Sequence, residues 1–361
     1  MADISELLKL MVERNGSDLF LKAGAPPRLR VDGKIVSLEL PPLEKAQVEK
    51  IAQDMMNAAQ LELFKKYLEV DFALDVPPLG RFRASALTQR AGVGLVLRHI
   101  RKDIADFEAL NLPAEVLKKL CMESRGLIIL CGATGSGKST TLASMIEHIN
   151  VSYAKHILTI EDPVEFTFED KRSVVTQREI GFDTLSYDEA LKHSMYHSPD
   201  VLLIGNIRDA STAQSALQAA ETGQLVLSTL HAIDSSEAIE RMVNFFPSHQ
   251  HGEIRLLLSL LLKGVISLRL VPRKGAPGRI PAYEVMLASP TIKELIRDGK
   301  THELQRYIED GESAGMTSFD QHLVKLTKAG IISKETAREF ADSHSALELG
   351  LSGMKRIREE R

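Results

Sequence analysis

A strand, a glycine-rich turn and a helix follow one another between Leu127 and Ile149, in the stretch LIILCGATGSGKSTTLASMIEHI. Leu127 to Cys131 is an apolar run of strand length. Gly132-Ala-Thr-Gly-Ser-Gly-Lys138-Ser139 then fits G-x-x-x-x-G-K-[ST]. Thr140 to Ile149 reads as a helix with Leu142, Met145, Ile146 and Ile149 on one face. That context makes the glycines a phosphate-binding loop. Gly132, Gly135 and Gly137 let successive N–H groups turn inward at the positive end of a helix dipole. Lys138 is placed to reach the β- and γ-phosphates, and Ser139 to bind Mg²⁺ through its hydroxyl. The expected nucleotide-contacting set is Gly132, Thr134, Gly135, Ser136, Gly137, Lys138, Ser139 and Thr140.

At 361 residues the chain has room for about two or three domains. Its 45 basic and 49 acidic side chains give a formal charge of −4, so no global electrostatic case exists for nucleic acid. Cys121 and Cys131 are the only cysteines, too few for a disulfide framework or a zinc site, and a reducing compartment is expected. The opening MADISELLKLMVERNGSD has early acids and no long apolar core, which is not the pattern of a signal peptide. Ile254 to Val271 is strongly apolar, but Arg255, Lys263 and Arg269 interrupt it and Gly264 divides it. It reads as a buried helix followed by a strand.

In chain order, Ile4, Leu7, Leu8, Met11 and Val12 form a helical face that Asn15-Gly16 ends. Asp18 to Leu21 is strand-like. Asp32-Gly33 joins two short strands as a hairpin. Helices are expected at 43–57 and 58–67, and strands at 70–75, 81–89 and 93–100. Residues 1–100 therefore read as a small α+β domain, 101–112 as a linker and 113–288 as an α/β domain. The pattern in that last segment is alternating strand and helix, with strands at 127–131, 156–160, 174–177, 201–204 and 225–229. Residues 289–361 read as a helical region, with helices at 291–298, 302–309, 318–328 and 333–342 and a charged end, MKRIREER.

Nucleotides in such sheets bind beyond the carboxyl ends of the strands. Glu161, Asp162 and Glu165 follow one of those ends, in IEDPVEF. They could order Mg²⁺ or polarise water, although alone they would also pass for a solvated acidic turn. The combination of GATGSGKST, IEDPVEF, TQREIGFDT, SPDVLLIGNIRD and ETGQLVLSTLHA resembles the secretion ATPases of type II and type IV pilus systems. Within them it is similar to the PilT/PilU-type retraction ATPases, and TQREIGFDT, RMVNFFP and the length lean toward the PilU branch.

The resemblance implies a RecA-like P-loop core, a PAS-like α+β N-terminal domain and a helical C-terminal tail. It also implies a cytoplasmic hexamer at the pilus base, peripheral to the inner membrane, that binds Mg-ATP. Partners would be a PilT-like paralogue and an inner-membrane platform protein, with no nucleic acid. Glu161, Asp162 and Glu165 would be the aspartate box, with Glu161 joining Ser139 at the metal. His231 would be the second histidine of the histidine box. Arg81, Arg83 and Arg98 would be the N-terminal arginines that reach the nucleotide, and Arg178 and Arg208 further nucleotide or interface contacts.

The sequence departs from the family pattern in a cluster. Asn206 stands where the Walker B glutamate belongs, and an amide cannot take a proton from water. Met195-Tyr196 replaces leucine-arginine, Ser211 a glutamate, Gln224 the first histidine, and Leu268-Arg269 a pair of glutamines. Two functions fit: a retraction motor, or a hydrolysis-impaired accessory subunit acting on an active PilT ring. A DNA-linked P-loop ATPase is the third and is disfavoured, because the chain lacks a basic, aromatic single-strand groove.

Overall fold

The computed structural model describes residues 4–31, 33–90, 92–100 and 102–353; Asp32 of the hairpin turn, Arg101 and the charged end lie outside them. The chain divides into two compact units. One is Met1–Asp103 with Glu165–Thr167, the other Ile104–Val164 with Phe168–Arg361.

The first unit begins with α1 (Ile4–Glu13), which buries Leu7, Leu8 and Met11 at helical spacing. Strands β1 (Asp18–Lys22), β2 (Arg28–Val31) and β3 (Lys34–Ser37) follow, then α2 (Lys45–Met55), α3 (Ala58–Tyr67), β4 (Glu69–Val76), β5 (Gly80–Gln89) and β6 (Gly92–Ile100). Sheet order is β3-β2-β1-β6-β5-β4, and every pairing is antiparallel. The hairpin forms in the expected register, with Val31 opposite Lys34. Phe72 and Phe82 sit fully buried between the sheet and the helices. This is the PAS-like α+β unit of the fold.

The second unit runs α4 (Ala114–Cys121), β7 (Gly126–Cys131), α5 (Lys138–Ser152), β8 (His156–Glu161), β9 (Val174–Glu179), α6 (Tyr187–Ser194), β10 (Val201–Ile204), α7 (Ala210–Glu221), β11 (Leu225–Leu230), α8 (Ser235–Asn244) and α9 (His251–Leu261). Then come β12 (Leu262–Pro272), β13 (Arg279–Leu287), α10 (Pro290–Arg297), α11 (Leu304–Asp310), α12 (Phe319–Lys328), α13 (Lys334–Phe340) and α14 (His344–Leu351). Sheet order is β13-β12-β7-β11-β10-β8-β9, parallel except for β13 at the edge. The sheet is covered on both faces. Leu127, Ile129 and Cys131 of β7 enter one apolar cluster, Ile128 and Leu130 the other. That explains why the strand reads as an unbroken apolar run. The core is RecA-like.

Two expectations need correction. The helix-to-strand change in the long apolar run falls at Leu261–Leu262, not at Gly264. β12 instead carries an extra residue there: Leu262 faces Leu127 and Gly264 faces Ile128, so Lys263 is a bulge. Second, β13 was not expected, because Pro281 and Glu284 break its apolar run. An edge strand tolerates the proline, since one side of its backbone needs no ladder partner.

The helical tail packs on these two strands. Val271, Ile280 and Ala282 share a cluster with Phe319, Leu323, Leu326, Ile332, Ala337 and Leu347. Arg269 reaches the tail as well. It donates to the Phe340 carbonyl at 2.9 Å, pairs with Asp342 at 2.8 Å and lies 3.7 Å over the Phe319 ring. His322 stacks on Tyr283 at 3.6 Å, and its Nδ1 accepts the Tyr283 N–H at 3.1 Å. That bond needs a neutral ring. Burial, then the Lys325 charge, push His322 down to about 3. The unfolded chain binds this proton near pH 6.5 and the folded chain does not, so the stability it supports is present above pH 6.5 and is lost as pH falls toward 3. The loss should be on the order of 1 kcal/mol per pH unit. Urea midpoints at pH 7.5 and 5.5 should therefore differ more in the parent than in His322→Gln. An equal difference would place the ring's titration elsewhere.

Candidate functional site

Because the strands of the second unit run parallel, their carboxyl ends share one edge. Cys131 lies level with Leu230, and Ile160 with Ile204. Four loops leave that edge: 132–137 after β7, 162 onward after β8, 205–209 after β10 and 231–234 after β11.

The first loop turns tightly against β12. A Cβ on Gly132, at φ 143°, would lie 2.5 Å from the Leu268 carbonyl oxygen and collide with Ser136 Oγ. Only glycine fits. Leu270 lies against Gly137 at the other end of the loop. Lys138 is buried and opens α5. Its Nζ donates to the Gly132 carbonyl at 2.7 Å and the Ala133 carbonyl at 2.9 Å, so the cation is folded across the loop. Ser139 and Thr140 are half-buried in the first turn, while Thr134 and Gly135 are exposed. Ser136 Oγ is buried and has no hydrogen-bond partner among the described residues. A buried hydroxyl and a lysine at the start of a helix are donors that a polyphosphate can complete.

Glu161 ends β8. Its Oε1 accepts from Thr159 Oγ1 at 2.6 Å and from Gln177 Nε2 at 3.3 Å. Asp162 is exposed and pairs with Arg208 at 3.5 Å; that guanidinium also lies 5.1 Å over the Tyr187 ring. Glu165 is exposed and falls in the segment grouped with the first unit. Gly205 brings the next loop close. A Cβ there would be 3.3 Å from Glu161 Cα and 3.0 Å from Tyr187 Oη. Asn206 is therefore a neighbour of Glu161. Thr229 Oγ1 stands 2.7 Å from the Gly205 carbonyl and 3.4 Å from Asn206 Oδ1. Its single proton goes to the shorter contact. His231 follows β11. Partial desolvation, then the charges of Lys138 and Arg241, hold its imidazole below the ordinary range. The register sets Leu230 level with Cys131, so His231 follows beside the start of the phosphate loop, and a neutral ring is expected at pH 7.

The structure thus gathers the loop residues, Glu161, Asp162, Asn206 and His231 at one edge. Arg81, Arg83 and Arg98 belong to the first unit. Arg81 and Arg83 share a face of β5, and Arg98 is directly opposite Arg83 on β6, so all three lie on one face. Each has an acid partner: Asp75 at 3.8 Å, Asp71 at 3.5 Å and the buried Asp18 at 2.9 Å. Arg178 donates to the Asp183 carbonyl at 2.9 Å.

The departures have structural partners. Gln224 is buried, and its amide meets Met195 Sδ at 3.6 Å, while Tyr196 is exposed. Ser211 donates to Asp188. Sequence reasoning missed Thr159 and Gln177. A lone polar residue inside an apolar strand was the available signal for Thr159.

A family model described as "Type II/IV secretion system protein" matches residues 2–337. The type IV pilus retraction ATPase PilT of Pseudomonas aeruginosa is 44% identical over 94% of this chain and 98% of its own length. The type IV pilus ATPase PilU of the same organism is 43% identical over 96% of this chain and 91% of its own length. The near-equal identities do not rank the two branches. A crystal structure of the pilus retraction motor PilT with bound ADP superposes with a TM-score of 0.90 at 40% identity, covering 96% of this chain and 99% of that one. Fold, loop and relatives agree: this chain belongs to the secretion ATPase family and, within it, to the PilT/PilU type.

Proposed function

We propose that the chain is an ATP-driven motor subunit that promotes type IV pilus retraction, in the PilU manner. The observation that carries this reading is the phosphate loop with its buried Lys138, on the same sheet edge as Glu161 and His231 in a chain of this family. Lys138, Ser136 and the loop amides bind the phosphates of ATP. Mg²⁺ would be held by Ser139 and Glu161, oxygen donors of the kind that ion prefers; when bound, it neutralises phosphate charge. Glu161, held by Thr159 and Gln177, and His231, kept neutral, are the groups that position water or the γ-phosphate. Arg81, Arg83 and Arg98 supply the N-terminal cations, and their acid partners keep them oriented. In this reading 1–100 is the PAS-like N-terminal domain, 101–112 the linker, 113–288 the ATPase domain and 289–361 the helical region. The subunits form a six-membered ring at the cytoplasmic pilus base, acting on an inner-membrane platform. Among the described residues, no helix is long and apolar enough to cross a membrane.

A second reading is favoured by Asn206, which brings no carboxylate to the edge beside Glu161. The chain would then bind ATP, turn it over poorly and work on a PilT-like ring. Steady-state ATPase with Mg²⁺, alone and with such a paralogue, separates the two. The motor reading expects turnover without the paralogue. The accessory reading expects bound nucleotide, little turnover alone and a change in the paralogue's rate. Absence of nucleotide binding would overturn both.

A further inference from the structure

Glu284 is a carboxylate in the centre of an apolar strand, fully buried on β13. The sheet register places it opposite Ser267 on β12, which lies opposite Cys131, the last residue before the phosphate loop. Its Oε1 accepts three donors: the Ser235 N–H at 2.9 Å, Ser235 Oγ at 2.7 Å and Ser267 Oγ at 3.5 Å. Its Oε2 is buried and has no hydrogen-bond partner among the described residues. Burial pushes the carboxyl up to about 7, which marks an acid held at a desolvation cost. A helix start is ordinarily capped from its own chain, and α8 already has that cap, since Asp234 accepts the Glu237 N–H at 2.8 Å. Glu284 is a second anchor from a different part of the fold.

The loop it anchors is short. Leu230 is fixed by the β11–β7 ladder, Ser235 by Glu284, and only His231 to Asp234 span the gap. Ala232 is buried and the Ile233 N–H is taken by Glu237 at 2.7 Å, so the span has little freedom. We propose that Glu284 is a positioning residue for His231, fixing the first turn of α8 and through it the direction of the imidazole toward the phosphate loop. This rests on the reading of His231 as a group that acts on bound ATP.

The test uses the full-length protein with Mg-ATP and measures single-turnover hydrolysis and ATP affinity separately. Thermal unfolding confirms that each variant is folded. Ser235→Ala and Glu284→Ala should slow hydrolysis about ten- to a hundredfold, the range for a displaced catalytic group, with affinity nearly unchanged. Glu284→Gln keeps the accepting oxygen and should recover most of the rate. In Glu284→Ala with His231→Ala, the loss should be no greater than for His231→Ala alone, because the two act in series. If Glu284→Ala does not fold, the same cycle is run with Ser235→Ala. Independent, additive losses would overturn the inference and leave the His231 reading standing, as would an unchanged rate in Ser235→Ala and Glu284→Ala beside a slow His231→Ala. An unchanged rate in His231→Ala would overturn the reading of that residue and the inference with it.

Discussion

Lys138→Ala is expected to weaken ATP binding about ten- to a hundredfold, since hydrogen bonds to charged groups contribute about 1.5–3 kcal/mol. The Lys138 Nζ is buried and folded onto the Gly132 and Ala133 carbonyls. It is already desolvated and needs only to exchange neutral acceptors for phosphate oxygens. Alanine removes the cation and leaves those two carbonyls without this donor, so part of any effect would be on the loop itself. Nucleotide titration of the folded variant, checked by its unfolding midpoint, separates the two. Equal affinity in variant and parent would move the nucleotide away from this loop.

Asn206→Glu is expected to raise kcat, with ATP affinity little changed. General-base catalysis typically contributes about 10²–10⁴-fold, which bounds the gain. Asn206 is half-buried, and among the described residues its amide oxygen meets only Thr229 Oγ1, at 3.4 Å, whose proton goes to the Gly205 carbonyl. A carboxylate there would stand beside Glu161, and like charges so placed hold one another's protons more tightly. That suits a base and calls for a cation between them. Steady-state turnover of both proteins decides. A parent rate already ordinary for this motor class would show that Glu161 or Glu165 activates water without help. No gain from a slow parent would point to Tyr196 and Gln224 as further losses.

Much of this site was legible in the sequence because its parts are local. A strand, three glycines and a lysine need only about twenty residues of chain to define a phosphate loop. The rule that ligands lie beyond strand ends then led to Glu161, Asp162 and Glu165, while the family resemblance singled out Asn206 and His231; Glu161, Asp162, Asn206 and His231 share the edge. What was not legible is long-range. Nothing near Glu284 announces Ser235, and nothing near Arg269 announces Phe340 and Asp342. Sheet order is similarly hidden, since β7 pairs with β11 and β12 rather than with β8. Pro281 concealed β13, because a proline argues against a strand unless one knows that the strand lies at an edge.

The bulge at Lys263 sets the parity of β12. Past it, Ile266 and Leu268 share the α5 side of the sheet, and Leu268 and Leu270 touch the phosphate loop. Ser267, Arg269 and Val271 alternate with them, one toward Glu284 and two toward the helical tail. Side chains on a strand alternate with a period of two, so a single residue more or less exchanges the faces. Without the extra residue, Arg269 would take the α5 side of the sheet and the leucines the side of the tail. One extra residue at the start of the strand therefore decides which of its side chains pack beside α5 and the phosphate loop and which meet Glu284 and the last helices.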